Sequence, residues 1–219
     1  MKTAIQVKHA EPLPADALTG LPARAAFDAL FPELVKRAHK SSESLSLAVI
    51  DIDLFGQINQ ARGRDAGDAV LRQVGQALRA AVGEGAQVFR FGGDAFAAVW
   101  EAQEKEQAFL LVEALRQRIE AEFASAASPV GLSVGLAAYP DDGEKPAEVV
   151  QRASGALYRA KVSGRSKVCL AREEKMVTKT SHYTQGQLLG LRRLAEREGI
   201  KDAELLREAL NDLLRKYNA

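Results

Sequence analysis

The chain has 219 residues, of which 47% are hydrophobic, 27% charged and 6% aromatic. That is enough apolar material for a packed core, and it excludes a disordered or fibrous chain. Thirty Lys and Arg against 29 Asp and Glu leave a net charge of +1, so the chain as a whole gives no reason to expect a polyanionic partner. The charge is uneven, however: residues 175–219 carry nine basic and six acidic side chains. The single cysteine, Cys169, excludes an intramolecular disulfide framework and a multi-cysteine zinc site. His9, His39 and His182 are far apart, and none has a metal-ligand spacing. The opening MKTAIQVKHAEPLP lacks the apolar centre of a signal peptide, and no stretch approaches ~18 uninterrupted apolar residues. The expectation is a cytoplasmic protein with no membrane contact.

In chain order, residues 1–14 read as a polar leader and Asp16 to Leu21 as a turn. Phe27, Leu30, Phe31 and Leu34 then recur at helical spacing between Ala23 and Lys40. Leu45 to Phe55 is a β-branched run ending in carboxylates, and Val70, Leu71, Val74, Leu78 and Val82 predict a helix over 65–82. Gln87–Phe91 and Phe96–Trp100 are two short strands around a Gly92-Gly93-Asp94 turn. A helix over 104–123, a strand over 130–138, a helix over 147–161 and a strand over 166–170 follow. Interleaved helices and strands predict an α/β sheet domain with a central hairpin over 15–171. The apolar period lapses over 172–176, read as a linker. Residues 177–219 hold one extended segment (177–183) and two helices (185–198 and 202–217) with Gly199 between them. Such a unit is too small to bury a core alone, so it should dimerise.

The chemistry gathers at three places. Asp51 and Asp53 end a strand of buried type, and Asp94 follows two glycines that allow close backbone approach to a phosphate. Carboxylates on adjacent strand ends suit a hard divalent cation such as magnesium. Taken singly, each of these features is also what any strand end or turn shows.

The combination is more specific. LTGLPAR (18–24), DIDLFGQIN (51–59), AGDAVL (66–71), RFGGDAF (90–96), SVGLAAYPDDG (133–143) and ALYRAKVSGR (156–165) occur in this order, and together they resemble the GGDEF domain of diguanylate cyclases over residues 15–171. The resemblance implies an α+β palm-like nucleotidyl cyclase fold and a reaction that joins two GTP molecules into cyclic dimeric GMP with metal assistance. It further implies Asp51 and Asp94 as metal ligands, for magnesium arriving with GTP. Asn59 and Asp68 would read the guanine edge, Gly92 and Gly93 would face the phosphates, and Lys161 and Arg165 would grip the phosphate tail.

The departures are informative. The signature reads GGDAF, so Ala95 stands where the family has a catalytic glutamate, and Asp94 and Ala95 make a vestigial catalytic pair. Gly56, Leu54, Gln60 and Ser154 replace a usual lysine, histidine, aspartate and aspartate. Loss of a general base or metal ligand costs roughly 10²- to 10⁴-fold in rate. The expectation is a degenerate domain that binds a guanine nucleotide without turning it over, with a diguanylate cyclase of low activity as the alternative. The family's RxxD inhibition motif would fall at Gly83–Ala86 and is absent, which favours GTP over cyclic dimeric GMP.

TKTSHYTQGQLLGLRRLAEREGIKDAELLREALNDLL resembles the ribbon-helix-helix family, in which two chains pair strands into a ribbon that enters the major groove of DNA. Strand alternation puts Thr178, Thr180 and His182 on the base-reading face. Tyr183 falls on the inner face with Leu188, Leu191, Leu194, Leu205, Leu206, Leu210 and Leu213. Thr184 is the expected helix N-cap, and Lys201 a phosphate contact. A helical hairpin used only for dimerisation is the alternative. The whole chain is thus expected to be a homodimeric transcription regulator binding double-stranded operator DNA and a guanine nucleotide.

Overall fold

The computed structural model describes residues 14–83, 85–124, 129–171, 180–198 and 201–216, and the chain divides into two compact units, Met1–Glu173 and Glu174–Ala219. Most of the leader, the linker over 172–176, Thr178 and Gly199 lie outside the described residues.

The first unit is organised by β1 (Leu45–Ile52), in which every residue is buried. It is the middle strand of a five-stranded sheet that also contains β2 (Ala86–Gly92), β3 (Ala95–Glu101), β4 (Leu132–Tyr139) and β5 (Val168–Leu170), in the order β2-β3-β1-β4-β5. Neighbours are antiparallel except for the β4–β5 pair. A strand apolar on both faces needs a layer on each side. Ala48, Ile50 and Ile52 pack with α3 (Arg64–Ala81) and α4 (Lys105–Phe123). Leu45, Leu47 and Val49 pack with α1 (Arg24–Ser41) and α5 (Pro146–Val162). The period of two along β1 therefore assigns Asp51 to the α1/α5 side.

The strand ends earlier than its apolar run predicts. Leu54, with φ of +56°, turns the chain out of the sheet, and a short helix, α2 (Phe55–Arg62), occupies what reads as the strand end and the following loop. No residue of α2 is buried, so it leaves no amphipathic stripe in the sequence. Gly63, with φ of +83°, separates it from α3.

On the other side of β1, α5 approaches β4 closely enough to exclude a side chain. A Cβ on Gly135 would lie 2.0 Å from the Ala153 carbonyl oxygen and 2.2 Å from the Leu157 nitrogen. The facing residues Ala153, Ala156 and Ala160 are fully buried. This contact sets the position of Lys161, one turn further along α5.

In the second unit, α6 (Gln185–Glu198) and α7 (Asp202–Lys216) form as the sequence predicts. Thr184 caps α6 through a reciprocal pair: its hydroxyl accepts from Gln187 N–H at 3.2 Å, and the Gln187 side chain accepts from Thr184 N–H at 2.9 Å. Residues 180–184 form no strand, and the expected inner face does not close: Tyr183, Leu188, Leu194, Leu210 and Leu213 are exposed, with only Ala195 and Leu205 buried among the described apolar residues. The physical reason is that one strand in a single chain has no ladder partner and two short helices cover little of each other.

Because the atoms facing Gly135 are backbone, an added methyl cannot be accommodated by a rotamer change. Gly135→Ala is expected to lower stability by about 3 kcal/mol, read as a lower urea midpoint.

Candidate functional site

The site is built on the end of β1. Asp51 pairs with Ala95 of β3 and with Ser133 of β4, so all three side chains lie on the α1/α5 face, with directly opposed Cβ atoms ~5 Å apart. The position across from Asp51 toward the hairpin is thus a methyl group. The partner of Asp51 comes instead from α5: Lys161 Nζ lies 2.7 Å from Asp51 Oδ1. Even so, burial pushes the Asp51 carboxyl up to about 6, with hydrogen bonding from Lys161 pulling it down and the nearby Asp94 charge pushing it up. The Lys161 ammonium, expected on a phosphate tail, is the counter-ion of an expected metal ligand in this structure.

The hairpin between β2 and β3 requires its glycines, since Gly92 has φ of +132° and Gly93 +55°, beside a register shift between Arg90 and Gly92. Asp94 is half-buried, and its carbonyl accepts from Ile52 N–H at 3.3 Å, which ties the turn to the end of β1. Arg90 braces the turn from beneath. Its guanidinium donates to the Ala95 carbonyl at 2.8 Å and to the Gly93 carbonyl, and stacks over the Phe96 ring with 4.9 Å to the centroid. Burial lowers its pKa, and the charges of Asp16, Asp94 and Asp68 act in the opposite sense. Arg90 thus lies within electrostatic reach of Asp16, of the expected metal ligand Asp94 and of the expected base reader Asp68. Sequence reasoning missed it, although a lone charge inside the apolar VFRF run was the available signal.

Asn59 on α2 and Asp68 on α3 are both half-buried. What brings them together is Gly67, where an added Cβ would fall 1.9 Å from Asn59 Oδ1. The Asn59 amide therefore rests against the α3 backbone one residue before Asp68.

Asp53, the other carboxylate at this strand end, is taken up by the protein itself. Its carboxylate accepts from Ser133 Oγ at 2.6 Å and from Ser166 N–H at 2.9 Å, so its lone pairs are engaged by protein donors. Arg165, the residue before Ser166, is exposed.

Asp51 and Asp94 offer two carboxylates to a cation, and Ala95 offers none. Among the described residues no group of three or more His, Cys, Asp or Glu side chains comes together to hold a metal. This donor set fits a magnesium ion that arrives on phosphates and keeps some of its water, rather than a dedicated cage.

In the second unit, Thr180 and His182 lie on the exposed segment before α6, and Lys201 is exposed at the start of α7. Thr178 falls outside the described residues. No described helix is long and apolar enough to cross a membrane.

The raised carboxyl of Asp51 makes a stability prediction. Its folded-state pKa lies above the ordinary 3.8, so its contribution is fully present below pH ~4 and is lost as pH rises through about 6. Asp51→Asn removes that loss. The ligand-free variant is expected to be more stable than the parent by about 2 kcal/mol at pH 7.5, with the gap closing toward pH 4, as measured by urea unfolding at both pH values.

Comparison with known proteins agrees with this geometry. The family profile described as "Diguanylate cyclase, GGDEF domain" matches residues 14–167, and one described as "Ribbon-helix-helix domain" matches residues 180–218. The diguanylate cyclase DgcP of Pseudomonas aeruginosa is 38% identical over 160 residues, 71% of this chain and 24% of the relative. The diguanylate cyclase DosC of Escherichia coli is 34% identical over 70% of this chain and 34% of its own length. The chain therefore spans only a quarter to a third of these longer relatives. Among solved structures, the GGDEF domain of DgcB from Caulobacter crescentus, crystallised with c-di-GMP, superposes with a TM-score of 0.68 at 28% identity, covering 74% of this chain and 97% of that one. The active GGEEF domain of a diguanylate cyclase from Vibrio cholerae superposes with a TM-score of 0.65 at 31% identity, covering 69% and 98%. A five-stranded α/β sheet of this cyclase type, with the GGD hairpin beside Asp51, and the two profile matches lead to one conclusion: the chain belongs to the GGDEF-domain family of diguanylate cyclases and carries a ribbon-helix-helix domain at its C-terminal end.

Proposed function

We propose that this chain is a DNA-binding transcription regulator whose degenerate GGDEF domain binds a guanine nucleotide, GTP in preference to cyclic dimeric GMP, without turning it over. The observation that carries the reading is the pairing of Asp51 with Ala95 across the β1–β3 ladder. A methyl group stands where the reaction needs a carboxylate, while the base-reading pair Asn59 and Asp68 and the phosphate-facing Gly92 and Gly93 are retained. Magnesium would come with the nucleotide phosphates and be held by Asp51 and Asp94. With Asp51 engaged by the ion, Lys161, which lies 2.7 Å from Asp51 in this structure, would be available to the phosphate tail. The rival reading, a diguanylate cyclase of low activity, draws support from the 38% identity with a protein of that name.

The ribbon-helix-helix domain pairs with that of a second copy. In the single chain Tyr183, Leu188, Leu210 and Leu213 are 46%, 49%, 55% and 51% exposed, an apolar surface that two helices of 14 and 15 residues cannot bury alone. Pairing of two strands would cover that surface and satisfy the strand backbone. Thr178, Thr180 and His182 would then read bases in double-stranded operator DNA, and Lys201 would contact phosphate. Such a regulator acts in the cytoplasm.

Two measurements test this function. In calorimetry with magnesium, GTP is expected to bind at least about tenfold more tightly than ATP, because a site built to pair guanine leaves buried polar groups unpaired against adenine. Asp68→Ala should abolish the difference, and equal affinities would sink the reading. Product formed from GTP by the unaltered chain would establish the enzyme instead.

In mobility shifts on genomic fragments, the chain is expected to bind as a dimer to a preferred site. His182→Ala should weaken that site by roughly 1–3 kcal/mol while leaving the dimer intact in sedimentation. A monomer, or a shift without sequence preference at moderate salt, would leave the tail as an interaction hairpin.

A further inference from the structure

A buried polar junction beside the site contains none of the residues expected to touch a nucleotide. Asp53 is 8% exposed, and each of its carboxylate oxygens accepts one bond, Oδ1 from Ser133 Oγ and Oδ2 from Ser166 N–H. Its own N–H donates to the Gly131 carbonyl at 2.9 Å. Gly131 has no room for a side chain, since a Cβ there would lie 2.6 Å from Ser166 Oγ and 3.1 Å from Asp53 Oδ2. One carboxylate thus joins the exit of β1, the start of β4 and the turn between α5 and β5.

That turn needs holding. Gly164, Arg165 and Ser166 follow one another with φ of +109°, +62° and +44°, and two consecutive non-glycine residues in the left-handed region cost on the order of 1–2 kcal/mol each. Such a conformation persists only where the surroundings over-determine it. On one side Arg165 N–H donates to the Ala160 carbonyl at 3.0 Å and closes α5. On the other, Ser166 N–H donates to Asp53. Arg165 sits between these two anchors with its side chain exposed.

We propose that Asp53 is a positioning residue: it holds the strained turn that carries Arg165 beside the end of β1, and so sets the preference for a guanine nucleotide with a long phosphate chain over one with a single phosphate. The proposal rests on the guanine-nucleotide reading above. A carboxylate suits the role because it offers two acceptors in a fixed plane, and its charge strengthens both bonds.

The test is the ratio of GTP to GMP affinity by calorimetry on the full chain, its Asp53→Ala, Asp53→Asn and Ser133→Ala variants, each checked for native circular dichroism. The parent should favour GTP. Asp53→Ala is expected to reduce that ratio about tenfold with GMP affinity little changed. Asp53→Asn, which keeps an oxygen for Ser166 N–H, should hold the ratio within about threefold of the parent. If Asp53 acted only through its charge, both substitutions would tighten GTP; if it served only the fold, Asp53→Ala would weaken GTP and GMP alike. Either result overturns the proposal. Should Asp53→Ala fail to fold, Ser133→Ala, which frees the carboxylate to rotate, is expected to lower the ratio about threefold, and an unchanged ratio there is equally fatal. A parent that binds neither nucleotide refutes the guanine-nucleotide reading and this proposal with it, whereas a parent that favours GTP with a ratio insensitive to these variants refutes the positioning role alone.

Discussion

A carboxylate buried at the end of an apolar strand must find a positive charge or lose its own, and much of the first unit is arranged around that requirement. Asp51 sits at the end of a central strand whose other residues belong to the core. Its ladder neighbours, Ala95 and Ser133, bring no charge, so the counter-charge must come from another layer. Lys161 supplies it because α5 runs over β4 at the contact Gly135 permits. Burial still disfavours the charge there, with Lys161 offsetting only part of that cost.

The same site depends on places where a side chain is missing. Gly67 lets the Asn59 amide lie on α3 beside Asp68, and Gly131 lets Asp53 and Ser166 meet. Arg90 braces the Gly92-Gly93-Asp94 turn by hydrogen bonds to the Gly93 and Ala95 carbonyls, with Asp94 and Asp68 within electrostatic reach of its charge. A family signature read along the chain names the residues that face a ligand. Two residues of the same motifs, Arg90 and Asp53, lie one step behind and hold them there by hydrogen bonds to the backbone of the hairpin and of the turn after α5.

The second unit presents the opposite situation. Its helices carry good local signals, with a reciprocal cap at Thr184 and Gln187, yet its apolar residues remain largely in solvent in the single chain. Local propensity is enough to form two helices but not to bury them. The unit thus leaves an apolar surface exposed in the single chain, and the nucleotide and DNA proposed for this chain would be recognised by separate parts of it.

Element order and the family were legible in the sequence because their signals are local. The β-branched run in LSLAVIDI, the 3.6 period through Val70, Val74 and Leu78, and the Gly-Gly-Asp turn are each signals carried within a few residues. The short α2 was not legible, since it buries nothing and so leaves no periodic stripe. The replacement of the expected glutamate by Ala95 could also be read directly. That Lys161 answers Asp51, that Asp53 is consumed by Ser133 and Ser166, and that Arg90 reaches under the hairpin were decided only by tertiary structure. Each depends on which strand ends the sheet register sets side by side and how closely α5 can approach them, and those distances are fixed by packing between segments far apart in the chain.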